Sequence, residues 1–119
     1  MSNFRSLMIW QKSITLTTKI YNSTKKFPKE EQFGITSQIR RSAVFIPSNI
    51  AEGFGRDSNK EYVRFLNISI GSLFELQTQL EISKNIEYLT EEEYTILYED
   101  SREVERMLVS FISKIKERN

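Results

Sequence analysis

Apolar residues recur along this chain at alternating steps of three and four, the spacing that gathers side chains on one face of a helix. Four such stretches follow one another. In the first, from Leu7 to about Lys26, one stripe is Leu7, Trp10, Ile14 and Tyr21 with Thr17 between. A second stripe, Ile9, Leu16 and Ile20, lies about a third of a turn round. Phe27-Pro28 closes the helix, because the residue before proline is pushed out of the α region. After the polar connection Lys29 to Gln32, helix two begins near Ile35, with Gly34 as breaker and Thr36 or Ser37 as caps. Its seam is Ile35, Ile39, Ala43, Ile46, Ile50 and Phe54. Pro47 lies within that run, lacks an amide donor and crowds the preceding turn, which predicts a kink or a short break with Ser48 restarting the helix. Gly53 and Gly55 are expected to stop it.

Ser58-Asn-Lys-Glu61 has the spacing of a capping box and starts helix three, whose seam is Tyr62, Leu66, Ser69, Leu73, Leu76 and Leu80, widened by Val63, Ile70 and Phe74. Asn85 to Leu89 reads as a turn. Thr90-Glu-Glu-Glu93 is a second capping box, with three acids where the positive end of the helix dipole favours them. Helix four follows with the seam Leu97, Ser101, Val104, Leu108, Phe111 and Ile115, fraying at Lys116-Glu-Arg-Asn119. The pattern predicts an all-α fold: an antiparallel up-down-up-down four-helix bundle, helix two kinked at Pro47, as one domain over residues 1–119. The second stripes exceed what one bundle must bury. Ile9, Leu16, Ile20, Val63, Ile70 and Phe74, with Val44 on the flank of helix two, are therefore expected to line the interface of a homo-oligomer.

Composition narrows the chemistry. The 119 residues include no Cys and no His, which removes disulfides, thiolate nucleophiles and the commonest general base and metal ligand. Ser37, Ser42 and Ser48 have no obvious activating base, and a di-iron bundle would need Glu-x-x-His motifs. The expectation is a protein that is not an enzyme and takes no cofactor or metal. The N-terminus lacks a signal-peptide pattern and no run approaches the roughly 18 apolar residues of a membrane span, so a cytoplasmic protein with no membrane contact is expected.

Net charge is +1, yet unevenly placed: residues 1–64 carry eleven Lys/Arg and five Asp/Glu, residues 65–119 six and eleven. Opposite halves point to self-association, to an anionic partner on the first half, or to nothing more than solvated faces. On a helical wheel Arg40 shares a flank with Val44, Pro47 and Ala51, whereas Arg41 faces away from the core with Phe45 and Glu52 in reach. Ion pairing within or between subunits and phosphate contact are competing roles for both. Arg56, Lys60 and Arg64 form a second basic set, although Gly53-Phe-Gly55 matches neither a phosphate-binding loop nor a dinucleotide fingerprint. No cluster of exposed aromatics is evident beside the arginines, which counts against recognition by base stacking.

The run Thr36-Ser-Gln-Ile-Arg-Arg-Ser-Ala-Val-Phe-Ile-Pro-Ser-Asn-Ile-Ala-Glu-Gly-Phe-Gly-Arg56 resembles the signature of bacterial four-helix bundle proteins encoded within intervening sequences of 23S ribosomal RNA genes. Trp10-Gln-Lys12, the segment Tyr21 to Pro28, Lys60 to Leu66 and Gly71 to Leu80 are similar to the same family. Phe45 and Phe54 depart from it, standing where smaller or hydroxylated residues are usual. The resemblance implies a bundle assembling as a ring-like homopentamer. It also implies kinship with the accessory variability determinants of diversity-generating retroelements, which bind a reverse transcriptase and nucleic acid. Two functions follow as expectations. One is a non-enzymatic, oligomeric RNA-binding protein of weak sequence specificity, with Arg40, Arg41, Arg56, Lys60 and Arg64 as the nucleic-acid contacts. The other is an interaction scaffold, an accessory subunit that docks a protein partner such as a reverse transcriptase.

Overall fold

A computed structural model describes residues 3–118. Among these residues there is no strand, and four long helices carry the fold: α1 (Met8–Thr24), α2 (Ile35–Phe54), α3 (Asn59–Asn85) and α4 (Glu91–Glu117). They pack as a helical bundle 46 × 23 × 23 Å in extent. Going round it, α1 touches α2 and α4, and α3 touches α2 and α4. The pairings fix the register. Thr17 meets Ala43 and Thr24 meets Arg40 between α1 and α2. Ser42 meets Gln79 and Ser69 meets Ile46 between α2 and α3. Tyr94 meets Glu81 and Gln77 meets Ser101 between α3 and α4.

The helix starts follow the sequence signals in part. Thr90 and Glu93 form both halves of the second capping box, whereas Ser58 accepts from the Glu61 amide but Glu61 turns to Arg64 instead of returning. Neither Thr36 nor Ser37 caps α2. Gly34 holds the cap position, the Ser37 hydroxyl donates back to the Gly34 carbonyl, and Thr36 Oγ1 is buried with no partner among the described residues. α3 ends in a double reversal: the Glu87 amide donates to the Lys84 carbonyl and the Tyr88 amide to the Ser83 carbonyl, with Glu87 at φ 66°. That left-handed position usually takes glycine.

The seams expected for α2, α3 and α4 are inside, but that of α1 is rotated. Ile9, Ser13, Leu16, Ile20 and Thr24 are the buried face, while Ile14 and Tyr21 are about two-fifths exposed. Two small hydroxyl residues complete the true stripe, and a reading that follows large apolar residues passes over them. The interface expectation is corrected by the same observation. Ile9, Leu16, Ile20 and Val63 lie in the chain's own core, Ile70 and Val44 are partly buried, and only Phe74, half exposed, stands out.

α2 runs without a break through Pro47, and the Ser48 hydroxyl donates to Val44 within the same helix instead of restarting it. Pro47 offers no amide to the Ala43 carbonyl one turn back. The Thr17 hydroxyl of α1 lies 3.0 Å from that carbonyl and supplies the missing donor. Gly53 is inside α2 and does not terminate it: a Cβ there would stand 2.9 Å from the Phe65 Cβ and 3.2 Å from the Tyr62 carbonyl oxygen. Its lack of a side chain permits the close approach of α3.

Candidate nucleic-acid interface

Part of the charge asymmetry between the halves is spent inside the chain. Lys12 and Lys19 of α1 and Lys26 just past its end, spaced seven residues apart, meet Glu103, Asp100 and Glu93 of α4, the first two pairs at 3.3 and 2.7 Å. Lys26 and the Thr90 amide hold the Glu93 carboxyl below its ordinary value. The expected second basic set is also mostly paired. Arg56 bonds Glu52, Arg64 bonds Glu61 at 3.1 Å, and both guanidinium groups lie over the Phe65 ring at 4.6 and 4.5 Å. Glu61 is held low by Arg64 first of all, with Arg56 and Lys60 adding to the field. Lys60 forms no ion pair among the described residues.

Arg40 and Arg41 differ from these. Neither has a carboxylate within ion-pair distance among the described residues, so pairing inside the chain does not account for them. Arg40 sits across the end of α1: its Nε donates to Thr24 Oγ1 at 2.8 Å and its Nη2 to the Tyr21 carbonyl at 3.3 Å. Thr24 in turn donates to the Ile20 carbonyl. This arrangement places a cation at the carbonyl end of a helix, where the dipole favours it. The guanidinium also lies 4.7 Å from the centre of the Tyr21 ring. Arg41, on the neighbouring face of α2, lies 5.0 Å from the centre of the Phe45 ring.

These four side chains, with Gln32, Thr36, Ser37 and Val44, line an open cleft of about 380 Å³ between α1 and α2. Arg41 and Phe45 also border a smaller hollow of about 100 Å³ lined in part by Glu75. The structure thus separates the five basic residues. Arg40 and Arg41 sit near the start of α2, and Arg56, Lys60 and Arg64 lie beyond its far end, on the order of 20 Å away at the standard rise.

Tyr21 was not legible as a site residue, and Phe45 was legible only as a neighbour of Arg41. Tyr21 fits the wrong stripe of α1, and only the rotation of that helix brings its ring out beside Arg40. The four-residue step from Arg41 to Phe45 was the available signal. The expectation of no aromatic cluster beside the arginines is therefore corrected.

Elsewhere, Leu7, Met8, Ile9, Met107 and Phe111 line a second cleft of about 400 Å³ at the start of α1 and end of α4, edged by Arg106 and Lys114. Among the described residues no helix is long and apolar enough to cross a membrane, and no group of three acidic, His or Cys residues is placed to hold a metal.

Comparison with known proteins adds a lineage to this geometry. A family model described as "23S rRNA-intervening sequence protein" matches residues 5–110. A crystal structure of a protein of unknown function from the S23 ribosomal protein family of Bacteroides thetaiotaomicron superposes with a TM-score of 0.80 at 29% identity, covering 88% of this chain and 98% of that one. No curated protein matches the sequence.

Proposed function

We propose that this chain, which belongs to the 23S rRNA-intervening sequence protein family, is a non-enzymatic RNA-binding protein that holds phosphates with Arg40 and Arg41. The observation that carries this reading is a pair of arginines without carboxylates, each set against an exposed aromatic ring in one cleft, whereas Arg56 and Arg64 of the other basic set are paired. Arg40 spends part of its guanidinium on α1 and keeps further donors for a ligand. Phosphate contacts fix position without reading sequence, so binding is weakly specific and falls steeply with salt. A homo-oligomer, as a pentamer, multiplies one modest cationic cleft into several on a common scaffold. Phe74 is the part of the expected interface still exposed for such contacts.

The bundle in this reading is antiparallel and up-down-up-down, with α2 bent at Pro47. Support comes from the descending pair numbers between neighbouring helices and from the Ala43 carbonyl turning to a partner outside its own helix.

The test is RNA binding across a salt series by wild type, Arg40→Glu with Arg41→Glu, and Arg56→Glu with Arg64→Glu. The first double variant is expected to abolish binding and the second to weaken it slightly. Absence of binding by wild type at low salt refutes the proposal. A scaffold function is favoured by one observation, the methionine-lined cleft edged by Arg106 and Lys114, with Met8 62% exposed. Co-purification from the native host checks it, and recovery of the chain alone counts against it.

A further inference from the structure

We infer that the cleft between α1 and α2 takes an unpaired base, so that the ligand is single-stranded RNA, not duplex. This rests on the RNA-binding reading and adds to it the part of the nucleotide that the phosphate contacts leave unrecognised.

The cleft combines two kinds of surface. Its cations, Arg40 and Arg41, have no carboxylate partner among the described residues, and its rings, Tyr21 and Phe45, are 40% and 38% exposed. Each ring already has one arginine against it, at 4.7 and 5.0 Å, so ring and charge face the same space. A duplex hides its bases in the stack and shows a protein mainly phosphates and groove edges. A single strand offers flat base faces that stack on aromatic rings or on planar guanidinium groups. A volume of about 380 Å³ is within the range of small-ligand clefts, and one side is open for the backbone to enter and leave.

The walls carry the remaining polar groups a nucleotide needs. Gln32 and Ser37 line the cleft and offer an amide and a hydroxyl to the solvent side. The nearest acids do not close it. Glu31 accepts from the Tyr88 hydroxyl at 2.8 Å, and Glu75 belongs to the smaller hollow on the other side of Phe45. Both rings are anchored by helices packed in the core, so a base meets a surface already in place. The Arg40 contacts to Thr24 and to the Tyr21 carbonyl hold the two helices in register at the cleft.

The test measures fluorescence anisotropy of a short labelled oligouridylate, a short labelled oligoadenylate and a blunt RNA duplex of equal length, across a salt series. The proteins are wild type, Tyr21→Leu, Phe45→Leu and Phe45→Tyr, with circular dichroism to check folding. Single strands are expected to bind at least about tenfold tighter than duplex. Each leucine variant is expected to lose roughly tenfold in single-strand affinity. Its salt slope stays that of wild type, because no charge is removed, whereas each lost arginine lowers the slope by about 1. Phe45→Tyr keeps a stacking face and restores binding. Equal affinity for duplex and single strand, or leucine variants that bind single strands like wild type, overturns the inference. If the arginine reversals still abolish binding in that case, phosphate recognition stands and only base recognition falls. No binding by wild type overturns both.

Discussion

Removing one hydroxyl tests how α2 carries a proline in its middle. The Ala43 carbonyl loses its usual amide because residue 47 is Pro, and Ala43 is fully buried, so water does not replace the amide. Thr17 Oγ1 is 3.0 Å from that oxygen and 2.8 Å from the Ser13 carbonyl of its own helix. The Ser13 carbonyl already receives an amide in a regular helix, so the Ala43 carbonyl has the greater need of the single hydroxyl proton. Thr17→Val keeps shape and β-branching and removes only that donor. A buried acceptor left without a partner costs about 1–3 kcal/mol, and the added methyl returns a fraction of this, so the expected loss is about 1–2 kcal/mol. In a chain of this length that lowers Tm by roughly 3–6 °C per kcal/mol. The decisive measurement is a double-mutant cycle by urea unfolding. Pro47→Ala restores an amide to the Ala43 carbonyl, so in that background Thr17→Val is expected to cost less than about 0.5 kcal/mol. An equal cost in both backgrounds refutes the reasoning: the hydroxyl would then be serving Ser13 or the packing, not the gap left by proline.

Other changes read other parts of the bundle. Glu87→Gly is expected to raise stability by about 0.5–1 kcal/mol, since glycine takes the left-handed position at φ 66° without the Cβ clash; thermal melts check the sign. Gly53→Ala should destabilise by about 1–2 kcal/mol even after the gain in helix propensity, because the new methyl would stand 2.9 Å from the Phe65 Cβ. The Tyr62 hydroxyl is buried without a partner among the described residues, and burial pushes it up to about 12. Tyr62→Phe is therefore expected to be neutral or stabilising by up to about 1 kcal/mol. It should also remove one of the late steps in the tyrosinate absorbance titration, leaving those of Tyr94, likewise near 12, and of Tyr88, which its bond to Glu31 also raises. Glu93 is held below its ordinary 4.5 by Lys26 and the Thr90 amide. A lowered folded value gives stability that is present above the unfolded value and is lost as pH falls through the folded one. Urea midpoints of wild type should thus decline below about pH 4.5, and Glu93→Gln should flatten that decline.

How far the sequence could be read depended on what kind of residue carried the information. Leucine and isoleucine seams located α2, α3 and α4, because burial there is continuous and the periodicity has no rival. α1 has two stripes of similar apolar content, and the choice between them depends on Ser13 and Thr24, small hydroxyl residues that can be buried because each donates to a carbonyl of its own helix. The apolar stripe taken alone puts Tyr21 inside and assigns Ile9, Leu16 and Ile20 to an interface, whereas they lie in the chain's own core. Gly53 was read as a terminator because close helix approach and helix termination use the same residue. Arg40 and Arg41 were picked out from the sequence, but their state was not, because whether a cation is paired depends on residues far along the chain. Lys26 with Glu93 shows how remote such partners are.

The lysine ladder of α1 bears on how the molecule loosens. The first and last helices of the chain meet along a seam flanked by Lys12, Lys19 and Lys26, pairs that are substantially exposed and individually contribute little. No loop joins these two helices directly, so nothing covalent limits their separation at this seam. Counterions screen the pairs as ionic strength rises, while the apolar contacts between α2 and α3 are unaffected. Added salt thus acts unevenly on the bundle: of the four helix contacts, the one between α1 and α4 is expected to lose the most, while its buried apolar residues keep it closed.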